Sequence, residues 1–218
     1  FNGFEDSCGN EGQRVEATAV EPGSGSTIMA YGGYCGSQNI QSQSDLYFHA
    51  LSLQEINAFI GESGAVNCAR QDDLIINKNA PKAYAGEDLI LPAGTPFKLT
   101  GEGSDADGDQ ITYNWEQMDN EVGSMPPQGT NTVGPMFRSI FATTDSKRYF
   151  PNMTAVSTGV PFQWEVLPTV NRDMDFRVTV RDNSIAPGCT DEQDITLDVE
   201  ASAGPFLVTS QNTSTSWV

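Results

Sequence analysis

The chain has 218 residues, with 29 Asp and Glu against 11 Lys and Arg, a formal net charge of −18 and a pI near 4.1. So acidic a surface excludes nucleic acid and anionic membranes as partners, because binding phosphate needs clustered Lys and Arg. It suits cations, calcium first, or solubility in a salty extracellular medium, and no run of 18 apolar residues is present to span a bilayer.

The length permits one large or two ordinary domains, and the texture divides it near residues 70–86. Residues 1–70 read as irregular, with Gly, Ser, Asn and Gln dominant up to Asp45. Within them "STIMAYGGYCG", 26–36, reads most plainly as a buried strand end, Ile28-Met29-Ala30, followed by a glycine turn. "LSLQEINAFIGESG" predicts a helix with Ser52 as N-cap and Glu55 as its capping-box partner. Leu53, Ile56, Phe59 and Ile60 would form its apolar face, and Gly61 or Gly64 would end it.

From about residue 80 the pattern alternates with period two. Phe97 and Leu99, then Ile111, Tyr113 and Trp115, then Phe176, Val178 and Val180, then Ile195, Leu197 and Val199 each predict one face of a short strand. The stretch 120–170 is too long for a simple connection and is expected to fold over a sheet face. "GPFLVTSQNTSTSWV", 204–218, reads as a linker with the first strand of a further module. Phe1 in place of an initiator Met, with no signal peptide, suggests a piece of a longer precursor.

The chemistry-bearing residues are few. Cys8, Cys35, Cys68 and Cys189 form no C-x-x-C pair, which sets aside zinc ribbons and redox motifs. Widely spaced and even in number, they fit two disulfides in an oxidising compartment, with three pairings open. The single histidine, His49, leaves no H-E-x-x-H and no second imidazole for a triad. Beside Tyr47 and Phe48 it reads as a packed structural residue rather than a metal ligand. "SDADGD" places Asp105, Asp107 and Asp109 alternately on a Gly-containing loop, where carboxylates can converge on a hard cation. It lacks the loop-ending Glu of an EF-hand, and a solvated acidic turn is the competing reading.

Two resemblances organise these signals. "FNG…C", "EPGSGSTIMAYGGYCG" and "SDLYFHALSLQEINAFI" resemble the C-terminal part of a reprolysin-like zinc metallopeptidase of the metzincin clan, over residues 1–68. The resemblance implies that Met29 belongs to the methionine turn that floors the zinc site. It implies that Tyr31 stands near the metal, where its phenol can stabilise an oxyanion. It further implies that the zinc ligands and the general base precede residue 1, in an upstream catalytic half that acts on protein or polysaccharide substrates. "NAPKAYAGEDLILPAGTPFKLTGEGSDADGDQITYNWEQ" and "FRVTVRDN" resemble a polycystic-kidney-disease (PKD) type domain, an immunoglobulin-like β-sandwich. That family's calcium position falls here on Asn79, Asp105, Asp107 and Asp182, with Asp109 beside them.

The expectation is a mainly β chain. An irregular lobe with one helix spans 1–70, a linker 71–78, a PKD-type sandwich 79–200, and a linker or new module 201–218. Disulfides Cys8–Cys35 and Cys68–Cys189 are expected on this arrangement. The functional expectation is a fragment of a secreted or cell-surface zinc metalloendopeptidase. The chain itself would be inactive for want of ligands, and would bind calcium through its second half. The alternatives are a calcium-dependent adhesion or glycan-binding module, and a spacer that holds a protease off a surface.

Overall fold

The computed structural model describes residues 14–62, 79–184 and 188–207. Among the described residues, eight strands carry the fold: β1 (Lys82–Tyr84), β2 (Leu89–Pro92), β3 (Phe97–Thr100), β4 (Glu102–Ser104), β5 (Thr112–Gln117), β6 (Lys147–Phe150), β7 (Arg172–Arg181) and β8 (Thr190–Glu200). Two helices join them, α1 (Ala50–Glu62) and the short α2 (Met153–Thr158). The fold is mainly β, as the period-two pattern predicts.

The largest sheet has the order β2-β8-β7-β5, with β2 parallel to β8 and the other pairs antiparallel. β1 pairs with β4, and β3 with β6, as separate two-stranded sheets. The alternation of β7 puts Met174, Phe176, Val178 and Val180 on one buried face. Register places Trp115 of β5 opposite Val178, and Ile195 of β8 opposite Phe176. Leu99 and Phe150, from the β3–β6 pair, join the same core. At its centre Phe150 meets Phe97 at 4.9 Å, Phe137 at 5.1 Å and Phe176 at 4.9 Å between ring centroids. The edge-on geometry of the last two suits the ring quadrupoles.

Three expectations need correction. The stretch 120–170 does not merely cover a sheet face. It supplies β6, and it puts Met136, Phe137 and Phe150 into the core. The helix begins two residues before Ser52, which therefore lies within its first turn. His49 takes the capping role, since its Nδ1 accepts the Leu51 N–H at 3.2 Å and its carbonyl accepts the Leu53 N–H at 3.1 Å. Ile56, Phe59 and Ile60 of the expected apolar face are exposed, while bonds at Ala50 and Gln54 tie the first turns of α1 to the sheet. The 71–78 linker and the final residues from 208 lie outside the described residues.

Buried arginines pin the loops. Arg172 donates to the carbonyls of Asn131 at 3.2 Å and Gly134 at 2.8 Å, and its guanidinium lies 3.4 Å from Asp119 Oδ1. Burial pushes the Asp119 carboxyl up to about 6, although the Gln117 amide and Arg172 pull the other way. The acid form is therefore favoured in the folded protein. Its stabilising effect is complete below the unfolded value near ~4 and is lost as pH rises through about 6. Asp119→Asn, which mimics the neutral acid, should gain about 2 kcal/mol relative to wild type between pH 4 and pH 7. Urea unfolding at the two pH values measures it, and a pH-independent difference contradicts it.

Candidate functional site

The first half of the chain is built on a turn that a buried carboxylate organises. Glu21 Oε1 accepts the N–H groups of Ser26 at 2.8 Å and Thr27 at 3.1 Å, and Oε2 accepts the Thr27 hydroxyl at 2.6 Å. Burial works to raise the Glu21 pKa. The neighbouring His49 and the bonds from Thr27 and Ser26 outweigh it, so the carboxyl lies below its ordinary value. Ile28 and Met29 follow in a turn, not in a strand, and Met29 is 64% exposed, which overturns the strand-end reading. Gly33 adopts φ +90°, where a Cβ would collide with the Ser42 carbonyl, so the bend requires glycine.

Met29, Tyr31, His49, Glu21 and Glu55 line one hollow of about 280 Å³. Two of its polar groups, Glu21 and His49, are already committed. His49 is 3% exposed; its Nδ1 is occupied by Leu51, and its Nε2 lies 3.8 Å from Glu116 Oε1. With one engaged imidazole and a Glu21 saturated by its own turn, these residues do not fit zinc on their own.

Glu116 was not foreseen. It is fully buried, and its Oε2 accepts the Ala50 N–H at 2.8 Å while its Oε1 accepts the Ser139 hydroxyl. Ser139 Oγ in turn accepts from the Tyr47 hydroxyl at 2.8 Å. The residue stands in β5 on the face opposite Trp115, which alternation alone assigns to solvent. No local signal marks that the first half of the chain covers this face.

In the acidic loop two of the predicted residues, Asn79 and Asp107, meet directly. The Asn79 backbone and side-chain amides donate to the two Asp107 oxygens at 2.8 and 2.9 Å. Asp105 Oδ1 accepts the N–H groups of Asp107 at 2.9 Å and Asp109 at 3.1 Å, while its Oδ2 is buried without a hydrogen-bond partner. Asp182 accepts the Cys189 N–H at 2.9 Å. Among the described residues, no three acidic, thiol or imidazole groups stand in metal-ligating geometry.

Cys189 carries a free thiol, so the expected Cys68–Cys189 bridge is not formed. The loop is instead tied back through its own N–H to Asp182. Cys35 is disulfide-bonded, and Cys8 and Cys68 both lie outside the described residues. Comparison of the chain with family models, curated proteins and solved structures returns no match.

Burial raises the Cys189 thiol pKa, and Asp182, Asp105 and Asp107 raise it further. Since the thiolate is the nucleophile, Asp107→Asn should speed alkylation of Cys189 by iodoacetamide at neutral pH. An unchanged rate contradicts the convergence of these carboxylates on the thiol.

Proposed function

We propose that the chain is the portion of a secreted zinc endopeptidase that carries the methionine turn, joined to an accessory calcium-binding β-sandwich of the PKD type. The observation that carries this reading is the hollow that Met29 and Tyr31 share. A thioether left 64% exposed beside a half-buried phenol suits a floor that awaits a covering segment, whereas a core methionine would be enclosed. That segment, with the zinc ligands and the general base, is the upstream half of the same precursor. Tyr31 would present its hydroxyl to a developing oxyanion, and the rest of this chain would shape and support the site.

The sandwich reading draws support from the β5-β7-β8 ladder and the β3-β6 pair, which share one core. The calcium reading draws support from the unpartnered Asp105 Oδ2 and from the contact of Asn79 with Asp107 in the same loop. Calcium would require the Asn79 amide to yield its hold on Asp107, and it would turn carboxylate repulsion into attraction.

The coding sequence upstream of residue 1 tests the family directly: an H-E-x-x-H is expected, and its absence overturns the reading. The purified chain with added zinc should show no chelator-sensitive hydrolysis of casein or gelatin, and robust turnover would refute the division of labour. Millimolar calcium should raise the melting temperature by several degrees over EDTA, and by less in Asp107→Asn. Superimposed wild-type curves would reduce "SDADGD" to an acidic turn.

A further inference from the structure

A second hollow, of about 400 Å³, opens beside β5, away from the methionine turn. Its size falls within the range of ligand sites. Its walls come from three segments: Phe141 and Tyr149 flank one side, Met153 of α2 and Phe162 the other. All four side chains are exposed, between 36% and 56%, although they stand together. An apolar cluster of this kind collapses unless its walls are held apart.

A buried ionic network holds them. Arg148 donates to the Trp115 carbonyl, to the Arg138 carbonyl and to Glu165 Oε1, the last at 2.9 Å. Glu165 Oε2 accepts the backbone N–H of Asn152 at 2.9 Å and its side-chain amide at 2.7 Å. Asn152 caps α2 by accepting the Ala155 N–H at 3.0 Å. One arginine–glutamate pair therefore fixes the edge strand, the 138–149 stretch and α2 around a solvated space. So much buried charge arranged around one hollow is characteristic of a preorganised site.

Charge names the occupant. The chain bears −18, yet Lys147 stands at the rim of this hollow. Among the described residues its ammonium meets neither a carboxylate nor a hydrogen-bond acceptor. We propose that this hollow binds a peptide terminus, with a bulky apolar side chain seated among Phe141, Met153 and Phe162 and its carboxylate at the Lys147 ammonium. In this lining the cations Arg138, Lys147 and Arg148 outnumber the carboxylates of Asp145 and Glu165, which favours a carboxylate-bearing peptide terminus over a neutral glycan.

The test uses the whole purified chain, titrated by calorimetry with N-acetyl-phenylalanine, N-acetyl-phenylalaninamide and cellobiose. The acid should bind saturably, and about two- to fivefold more tightly than the amide, as an exposed ion pair allows. Lys147→Gln should erase that preference and leave the amide unaffected. Met153→Ala should weaken both, as should Phe141→Ala, whose ring also meets Tyr47 at 4.8 Å. No saturable binding of the acid at millimolar concentration overturns the proposal, as does equal affinity for acid and amide or a preference for cellobiose.

Discussion

The Glu116 carboxylate is the constraint on which the arrangement depends. It is fully buried in the edge strand β5, and its two oxygens receive one donor from the start of α1 and one from Ser139. A buried carboxylate with unfilled acceptor sites is costly, so wherever β5 forms, the segment 47–50 is drawn over it. That contact turns two halves of different texture into neighbours. It sets His49, and with it the wall of the methionine-turn hollow, at a fixed distance from the sheet. The same interface is elsewhere incompletely paired. Asn114 and Thr179, which face each other in register, and Arg181 nearby all hold buried polar atoms with no hydrogen-bond partner. Glu116 is satisfied there, and Arg181 and Arg177 add bonds to the Phe48 carbonyl and the Gln54 side chain.

The rest of the molecule uses the same device. An acidic chain with few cations places arginines inside rather than on its surface. Arg148 and Arg172 are buried, and each binds backbone carbonyls as well as a carboxylate. The guanidinium fork suits this, since it satisfies several carbonyls of an irregular loop at once. Long loops that lack ladder hydrogen bonds are thereby anchored to β5 and β7, and the hollow beside β5 includes Arg148 in its lining. Burial keeps these groups dependent on their partners, so removing one partner exposes the full desolvation penalty of the other.

Strands with strict alternation were legible because period two and burial coincide. Phe176, Val178 and Val180, then Ile195, Leu197 and Val199, all lie in the core as the pattern indicates. "KRYF" was not legible as β6, because its buried pair is Arg148 and Phe150, and an inward arginine reads as an outward one. The helix was legible in type but not in partner: an amphipathic period states that a face is apolar, not what covers it. Of the residues expected at the acidic loop, Asn79 does reach Asp107, whereas no three carboxylates stand in metal-ligating geometry among the described residues. The hollow beside β5 left no local trace, since its walls come from segments distant in sequence, joined by Arg148 and Glu165 and by the Tyr113–Thr143 backbone pair.

The most direct measurement is native-state hydrogen exchange in a Glu116→Ala variant. Ala50 N–H bonds to Glu116 itself, and the Ile28 N–H bonds to the Tyr47 carbonyl within the same covering segment. Both amides should lose protection, while those of Val178 and Leu197 in the β7–β8 ladder keep theirs. Unchanged protection at Ala50 and Ile28, or an equal loss at all four, would contradict the role given to this carboxylate.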